Sequence, residues 1–307
     1  MLAIEAYGNI TEAAESLFIT PSALSQQLIK LESELGIQLF TRNRRKMIPT
    51  SAGTIYLETA RQIITLQKAA YSEIQNLSGC ISGMYRIGLT YEHGSDVFAR
   101  TYPQFHKRYP GIQIKCYQFI VPELLEMLAD NRLDLAFILT GTPEKYDRIE
   151  YRQFSGENLL LGLPKTHRLV KNLETKSHPH GLFDLKKLKG DQFALALGNS
   201  TMRTELIDPV FVKAGFKPNI MIETSFNNFL EELTVTGICN SIVPQSRVHN
   251  YHDAHWFYLP GYPRFQFGVA YMKGYRLNPA LEAFIELAEK DAKKHMNFAK
   301  PLAMEEI

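Results

Sequence analysis

The chain has 307 residues and a net charge of +2, with 45% apolar and 21% charged residues. This apolar fraction is ordinary for a folded protein and excludes wholesale disorder. No stretch approaches the roughly 18 apolar residues that a membrane-spanning helix requires, so we expect no membrane segment. At about 150 residues per domain, the length favours two or more domains.

The cysteines and the N-terminus favour a reducing compartment. Cys80, Cys116 and Cys239 are odd in number, far apart and outside any CxxC pair. This spacing argues against a disulfide framework and against a structural zinc site. The N-terminus lacks the charged, apolar and small-residue succession of a signal peptide. We therefore expect a cytoplasmic protein.

The first fifty residues predict two helices with a tight break between them. The first covers residues 11–18, and the residue before Pro21 ends it because that position avoids the helical region. A longer helix begins at Pro21 or Ser22 and ends near Gly36, which suits a helix C-terminus. Its leucines recur at helical spacing: Leu24, Leu28, Leu31 and Leu35. This arrangement favours a helix-turn-helix.

A basic run follows the second helix. Residues 42–46 carry four positive charges in five positions, and no acidic residue lies between Glu34 and Glu58. Taken alone, the run is compatible with a solvated loop or with a phosphate contact. Residues 37–40 and 47–50 flank it with apolar side chains, so we predict a short β-hairpin wing with the basic run at its tip.

Four sequence blocks follow one another at fixed separations: AAESL at 13–17, SALSQQL at 22–28, LESELGIQLFTR at 31–42 and TSAG at 50–53. Together they resemble the LysR-type transcriptional regulators, and the resemblance covers nearly the whole chain. It implies a winged helix-turn-helix, a dimerising linker helix and a C-terminal ligand-sensing domain. The chain departs from the family at Pro21, where glutamine is usual, and at Gln26, where arginine is usual. The family also usually has several more residues before the equivalent of Met1.

The docking of a helix-turn-helix places the N-terminal part of its second helix against base edges in the major groove. Gln26 is the first candidate for base readout, because glutamine pairs bidentately with adenine. For Ser22, a base contact and capping of its own helix both remain open. Basic side chains would set affinity rather than sequence preference. The expected DNA-contacting residues are Ser22, Ser25, Gln26, Gln27, Lys30, Arg42, Arg44, Arg45 and Lys46.

The chain divides into three predicted parts: the DNA-binding head at 1–52, a linker helix and hinge at 53–80, and an effector-binding domain at 81–307. From Ser51 to about Leu77 the sequence has no proline, and its apolar residues approximate a seven-residue repeat. This stripe could pack on its own effector domain or on a second subunit. The resemblance implies antiparallel pairing of subunits in a homodimer or homotetramer.

Beyond residue 83, β and α segments alternate, which predicts an α/β fold with a parallel-type sheet covered by helices. The resemblance implies two lobes similar to type 2 periplasmic binding proteins. Lobe I would hold about 84–163 plus 265–300, and lobe II about 164–264.

Ligands of open α/β sheets lie beyond the carboxyl ends of the strands. The backbone of residues 198–201 could hold a carboxylate there, or Asn199 or Ser200 could cap the following helix. Glu92, His93 and Asp96 make the pocket less uniformly favourable to anions, so an amino-acid-like or amine-bearing ligand is an alternative, and the chemical class of the ligand stays open. The expected effector-binding residues are Thr90, Tyr91, Glu92, Gln118, Thr140, Asn199, Ser200, Thr201 and Ser225.

The sequence therefore predicts a transcriptional regulator that binds a double-stranded DNA operator and responds to a small-molecule effector between the lobes. No cofactor or metal is expected, because three spaced histidines, His249, His252 and His255, do not share one helix face. Motifs for nucleotide, phosphate, zinc-protease or serine-hydrolase chemistry are missing. Two alternatives are a cytoplasmic small-molecule-binding protein, opposed by the helical head, and an α/β enzyme with a helical appendage.

Overall fold

In the computed structural model, the described residues are 1–43, 46–77, 83–141 and 147–296. The N-terminal head begins with α1 (Leu2–Tyr7), α2 (Ile10–Ser16) and α3 (Pro21–Leu35). The strands β1 (Phe40–Asn43) and β2 (Lys46–Pro49) then pair antiparallel and form the wing. The predicted winged helix-turn-helix is confirmed. Two predicted DNA contacts, Arg44 and Arg45, lie outside the described residues, as does most of the predicted hinge.

Local capping explains where the helices of the head begin and end. The side chain of Asn9 accepts a hydrogen bond from the amide of Glu12 at 2.7 Å and starts α2. Thr20 caps α3 by accepting from the amide of Ala23 at 3.2 Å, so the cap is not Ser22. Gly36 ends α3 with φ of 68°, in the left-handed region that glycine adopts without strain.

One buried cluster holds the head together: Ile4, Ala13, Ala14, Leu24, Leu28, Leu39, Phe40 and Leu57. Two of the four periodic leucines of α3 are therefore fully in the core. Leu31 is partly buried against this cluster, whereas Leu35 is 48% exposed. The predicted stripe thus leaves the core at its C-terminal end.

The linker is a single helix, α4 (Ser51–Leu77), as predicted. Leu57, near its start, is buried in the head. Further along, Ile63, Leu66, Tyr71 and Ile74 are each at least 59% exposed. None of the helices within the described ranges is long and apolar enough to cross a membrane.

Lobe I contains β3 (Gly83–Leu89), α5 (His93–Arg108), β4 (Ile112–Gln118), α6 (Val121–Ala129) and β5 (Leu135–Thr140). The C-terminal β12 (Arg264–Met272) and α9 (Pro279–His295) return to this lobe. The strand order is β4-β3-β5-β12-β6, where β6 is the strand Ile149–Pro164, and β3 is parallel to both β4 and β5. Phe105, Phe137 and Phe284 lie in the core between the sheet and its helices.

Lobe II contains β7 (His180–Leu182), β8 (Gln192–Ala196), β9 (Asn219–Thr224), β10 (Asn240–Pro244) and β11 (Ala254–Tyr258). A π-helical segment, Met202–Ile207, runs into α7 (Asp208–Ala214), and α8 (Asn227–Val235) follows β9. The strands β10, β8 and β9 are parallel. A second core, with Phe193, Phe211 and Phe257, fills this lobe.

The long strand β6 (Ile149–Pro164) belongs to both lobes. Residues 149–158 pair antiparallel with β12, and residues from Leu159 onward pair antiparallel with β10 and β11. The chain therefore crosses between lobes at Asn158 and Leu159, earlier than the predicted boundary near residue 163. The expectation of a parallel-type sheet is wrong for β6 and β12, which connect the lobes and pair antiparallel with their neighbours. The strand β11 is parallel to β7 and antiparallel to β6.

Candidate nucleic-acid interface and effector cleft

The outward face of α3 carries Ser22, Gln26 and Ile29, which follow helical i, i+4 and i+7 spacing and point away from the buried Leu24 and Leu28. We call these three residues the reading face. Ile29 is 61% exposed. Sequence reasoning missed it, although its spacing from Ser22 and Gln26 was a usable signal. An exposed apolar side chain in this position suits contact with a thymine methyl group.

The other predicted DNA contacts take several positions around this face. Ser25 is half-buried beside it, whereas Gln27 and Lys30 are exposed on its flank. Lys30 lies 4.0 Å from Glu34 in an exposed ion pair. Arg42 and Lys46 are exposed on the two wing strands. The surface of the head therefore presents polar side chains and positive charges close together.

Hydrogen bonds donated by backbone amides connect the wing to the rest of the head. The amide of Met47 donates to the carbonyl of Gly8 at 2.7 Å. Glu32, on α3, accepts from the amides of Leu39 at 2.7 Å and Phe40 at 3.1 Å. These bonds link β1 to the helix that carries the reading face and hold the wing beside it.

A cavity of about 600 Å³, including space open to solvent, lies between the lobes at the carboxyl ends of β3, β4, β8 and β9. Six of the nine predicted effector-binding residues line it: Thr90, Tyr91, Glu92, Ser200, Thr201 and Ser225. The remaining three do not. Gln118 donates to the Ser95 hydroxyl at 2.8 Å, Thr140 is 1% exposed, and Asn199 is exposed outside the cavity.

Two of the lining hydroxyls accept hydrogen bonds from amides in the first turn of the helical segment that follows them. Thr90 Oγ1 accepts from the amide of Gly94 at 2.9 Å. Ser200 Oγ accepts from the amide of Arg203 at 3.3 Å and donates to the carbonyl of Leu197 at 2.7 Å. These Ser200 bonds correspond to the capping possibility for residues 198–201, and the carboxylate contact stays a prediction.

Much of the cavity wall is apolar, and sequence reasoning missed this part. The apolar lining residues are Phe119, Ile120, Val121, Leu139, Ala196, Leu197, Met202 and Pro244. In the sequence such residues are indistinguishable from core residues, since they continue buried strands and helices. The wall therefore suits a ligand with an apolar body.

Two carboxylates, one from each lobe, accept hydrogen bonds from amides of the opposite lobe. Glu92, from lobe I, accepts from the amide of Asn227 in lobe II at 2.9 Å. Glu205, from lobe II, accepts from the amide of Gly141 in lobe I at 2.9 Å. Near the crossover, His93 Nε2 lies 3.1 Å from Glu157, and the amide of Ser246 also donates to Glu157. These contacts hold the two lobes together around the cavity.

The linker helix contacts lobe I through Arg61. Its guanidinium bonds to Glu5 of α1 and lies 3.4 Å from Asp130, which follows α6. The side-chain amide of Asn131 donates to the carbonyl of Arg61 at 3.3 Å. Nearby, Arg148 pairs with Glu58 of α4. One arginine therefore joins the head, the linker and lobe I.

The three spaced histidines have separate partners. His249 Nδ1 lies 2.9 Å from Glu231, and His255 Nδ1 lies 3.2 Å from His180 Nε2 inside lobe II. Burial, followed by the charges of His255, Lys176 and His178, lowers the pKa of His180 to about 4. Within the described residues, no group of three or more His, Cys, Asp or Glu side chains is placed to hold a metal ion.

A head with an exposed recognition helix and basic wing, joined by a long helix to a two-lobed domain with a cleft, defines a ligand-responsive DNA-binding protein. Residues 1–54 match the bacterial regulatory helix-turn-helix protein, lysR family, and residues 79–293 match the LysR substrate binding domain. The chain belongs to the LysR family: it is a DNA-binding transcriptional regulator with an effector-binding domain, not an enzyme.

Individual relatives agree with this assignment. The chain is 28% identical over 284 residues to the uncharacterized HTH-type transcriptional regulator YybE of Bacillus subtilis, covering 90% of this chain and 91% of that protein. Its fold is similar to a full-length OxyR variant from Pseudomonas aeruginosa, with a TM-score of 0.66, 17% identity and coverage of 98% and 96% of the two chains.

Two further structures of similar fold were solved with their ligands. The effector binding domain of QuiR, in complex with shikimate, has a TM-score of 0.55 at 20% identity and covers 70% of this chain and 99% of its own. Full-length CbnR, complexed with its target DNA, has a TM-score of 0.50 at 21% identity and covers 95% and 97% of the two chains.

Proposed function

We propose that the protein is a cytoplasmic, sequence-specific regulator that binds a double-stranded DNA operator as a homodimer or homotetramer. A small molecule bound between the lobes changes the arrangement of its DNA-binding heads. The parts are the head at 1–52, the linker helix and hinge at 53–80 and the effector-binding domain at 81–307. The observation that carries the proposal is the exposed reading face of α3, held beside the wing by Glu32.

The DNA contacts divide into two kinds. Gln26, with Ser22 and Ser25 beside it, reads base edges, and the exposed side chain of Ile29 contacts thymine methyl groups. Gln27 on the flank, together with the basic Lys30, Arg42, Arg44, Arg45 and Lys46, holds the phosphate backbone and sets affinity. That CbnR was solved with its target DNA supports this use of the fold.

The oligomer uses the exposed apolar stripe of α4. Ile63, Leu66, Tyr71 and Ile74 are each at least 59% exposed within one chain. An apolar stripe of this length is stable when a second copy covers it, and a two-fold pair of heads matches a two-fold operator. This supports a homodimer or a homotetramer built from dimers.

The effector occupies the cavity between the lobes. Thr90, Tyr91 and Glu92 contact it from lobe I, and Ser200, Thr201 and Ser225 contact it from lobe II. Gln118, Thr140 and Asn199 are outside the lining, each next in the chain to a residue that lines the cavity: Phe119, Leu139 and Ser200. The shikimate complex of the QuiR effector domain supports a small organic ligand in a fold of this kind.

The decisive experiment is the selection of genomic DNA fragments by the full-length protein, followed by binding titrations at several salt concentrations. We expect enrichment of one operator sequence. Arg42→Ala combined with Lys46→Ala weakens binding to every sequence and lowers the salt slope by about one unit for each phosphate that is no longer neutralised. Gln26→Ala instead changes the preference at one base pair by about 1–3 kcal/mol.

Lys213→Ala is the matched control, since Lys213 is an exposed lysine on α7 of lobe II, and it leaves the salt slope unchanged. Failure to enrich any sequence contradicts the proposal. A wing variant with an unaltered slope shows that the wing does not contact phosphates, and a uniform loss of affinity for Gln26→Ala removes its role in base readout.

A further inference from the structure

The first turn of α8 has no cap of its own. Its N-cap position is Phe226, whose side chain makes no capping hydrogen bond. A helix N-terminus needs acceptors for its free amides, and an apolar N-cap residue supplies none. The acceptor comes from the other lobe. Glu92 Oε1 accepts from the amides of Asn227 at 2.9 Å and Asn228 at 3.4 Å.

Side chains of lobe II complete the surroundings of this carboxylate. Asn227 Nδ2 donates to Glu92 Oε2 at 2.7 Å. Arg247 is 8% exposed, and its Nε lies 3.7 Å from the same oxygen. Within the described part of the chain this buried Nε has no hydrogen-bond partner. A buried donor of this kind is unfavourable unless an acceptor reaches it. A carboxylate that lies closer to Arg247 than Glu92 does would therefore also accept a hydrogen bond from this Nε.

We propose that the N-terminus of α8, the Asn227 side chain and Arg247 form a carboxylate-binding subsite in lobe II. Glu92 fills this subsite as an internal ligand and thereby clamps lobe I to lobe II. An effector that carries a carboxylate exchanges with Glu92 and releases the clamp. That the ligand is an effector rests on the proposed function. The inference adds the chemical class of that ligand.

The charges around the subsite are consistent with one exchangeable carboxylate. Arg247 also pairs with Asp96 of α5, with Nη2 to Oδ2 at 2.8 Å. The other acids nearby have their own donors: Glu231 accepts from the amides of His249 and Asn250, and Glu157 pairs with His93. When Glu92 leaves, Arg247 and Asp96 balance each other, and the positive end of α8 still attracts an anion.

The position of the subsite indicates what else the ligand carries. Both Glu92 and Asn227 line the cavity between the lobes, whose wall is largely apolar. Glu92 is tethered, so its effective concentration is high and a free carboxylate competes poorly by itself. A ligand displaces Glu92 when apolar contacts within the cavity add to its affinity. The effector class is therefore a carboxylate with an apolar body.

Chemical rescue of the full-length protein tests the subsite directly. Glu92→Ala removes the Cγ and carboxyl atoms, which together have the composition of acetate. We expect the amides of Asn227 and Asn228 to exchange hydrogen about tenfold faster in this variant, within the range for removal of a helix cap. Acetate at neutral pH restores their protection, whereas acetamide and equal concentrations of chloride do not. The wild type shows no response to acetate, because Glu92 occupies the site.

Two control variants sharpen the result. Glu92→Gln replaces the charged acceptor by a weaker neutral one, so the α8 amides exchange faster. Because its side chain still fills the subsite, acetate does not rescue it. This variant also serves if Glu92→Ala does not fold. Glu123 contacts the amide of Ile120 at the start of α6 within lobe I, and Glu123→Ala leaves exchange in α8 unchanged.

The inference is overturned by unchanged exchange in both Glu92 variants, by faster exchange in Glu92→Ala that acetate does not reverse, or by equal rescue with acetamide. DNA selection with the wild type is read separately: its failure removes the regulatory role and leaves the acetate result standing as a property of the fold.

Discussion

The carboxylate of Glu32 in the recognition helix accepts a hydrogen bond from the backbone amide of Leu39, just before the first wing strand, with 2.7 Å between Oε1 and N. The same oxygen accepts from Phe40 at 3.1 Å. Glu32 therefore sets the position of β1 relative to α3, the helix for which we propose base readout. A charged acceptor serving two backbone donors contributes more than a neutral one.

Glu32→Ala is expected to loosen the wing, because two partly buried amides lose their acceptor. The local destabilisation is about 1–3 kcal/mol. Hydrogen exchange at Leu39 and Phe40 measures it, and DNA affinity falls for all sequences. Glu34→Ala on the same helix is the control, since Glu34 is exposed and pairs with Lys30 at 4.0 Å. Equal exchange in the two variants would show that Glu32 does not position the wing.

Gly53 permits close contact between α4 and the wing. A Cβ at this position would lie 1.9 Å from the carbonyl oxygen of Leu39, which also accepts from the amide of Thr50 at 2.9 Å. Gly53→Ala is therefore expected to destabilise the head by about 1–3 kcal/mol through overpacking. The helix-propensity gain of about 1 kcal/mol offsets part of this cost.

Thermal unfolding and DNA binding of Gly53→Ala measure this effect. Ser51→Ala, at the start of the same helix, is the control because it adds no atom toward Leu39. A Gly53→Ala protein as stable as the wild type would mean that α4 and the wing separate at no cost in stability.

Arg61→Gln is expected to loosen the head from lobe I, because the guanidinium contacts Glu5 in the head and Asp130 in lobe I. Amides of α1 and of the C-terminal turn of α6 then exchange hydrogen faster together. Arg100→Gln is the matched control: Arg100 pairs with Asp291 inside lobe I at 2.8 Å, so its effect stays within that lobe. Faster exchange in α6 alone would refute a link to the head.

Acid is expected to destabilise lobe II through His180. Burial lowers the pKa of this histidine from 6.5 to about 4, while the unfolded chain keeps the ordinary value. Between these values the unfolded state binds the extra proton, so stability is full above about pH 6.5 and falls as the pH decreases toward 4. The decrease in the free energy of unfolding over this pH range is on the order of 3 kcal/mol. His255 adds to it, since burial also lowers its pKa.

Thermal unfolding between pH 7.5 and pH 4.5 checks the expected loss of stability in acid. In His180→Gln the decrease with falling pH becomes shallower, even if the protein is less stable at every pH. His252→Gln, which changes an exposed histidine, retains the wild-type slope. A His180→Gln protein with an unchanged slope would assign the acid sensitivity to other groups.

The sequence by itself determined the head and the order of elements. The break before Pro21, the leucine spacing of α3 and the glycine at position 36 are local signals, because helix caps and periodicity act over three or four residues. Strand ends likewise located Thr90, Glu92, Ser200 and Ser225, since the position of a cleft follows from the direction of parallel strands. The helical spacing from Ser22 and Gln26 was also sufficient to predict the position of Ile29.

Tertiary structure decided the contacts between distant segments. Glu92 and Asn227 are 135 residues apart, and Arg61 and Asp130 are 69 residues apart. No periodicity relates such pairs. Glu92 meets Asn227 because β6 passes from one lobe to the other at Asn158 and Leu159, and Arg61 meets Asp130 because α4 lies against lobe I. An apolar residue of the cavity wall and a core residue also have the same chemistry in a sequence. Their difference is the packing partner, which the folded chain alone supplies.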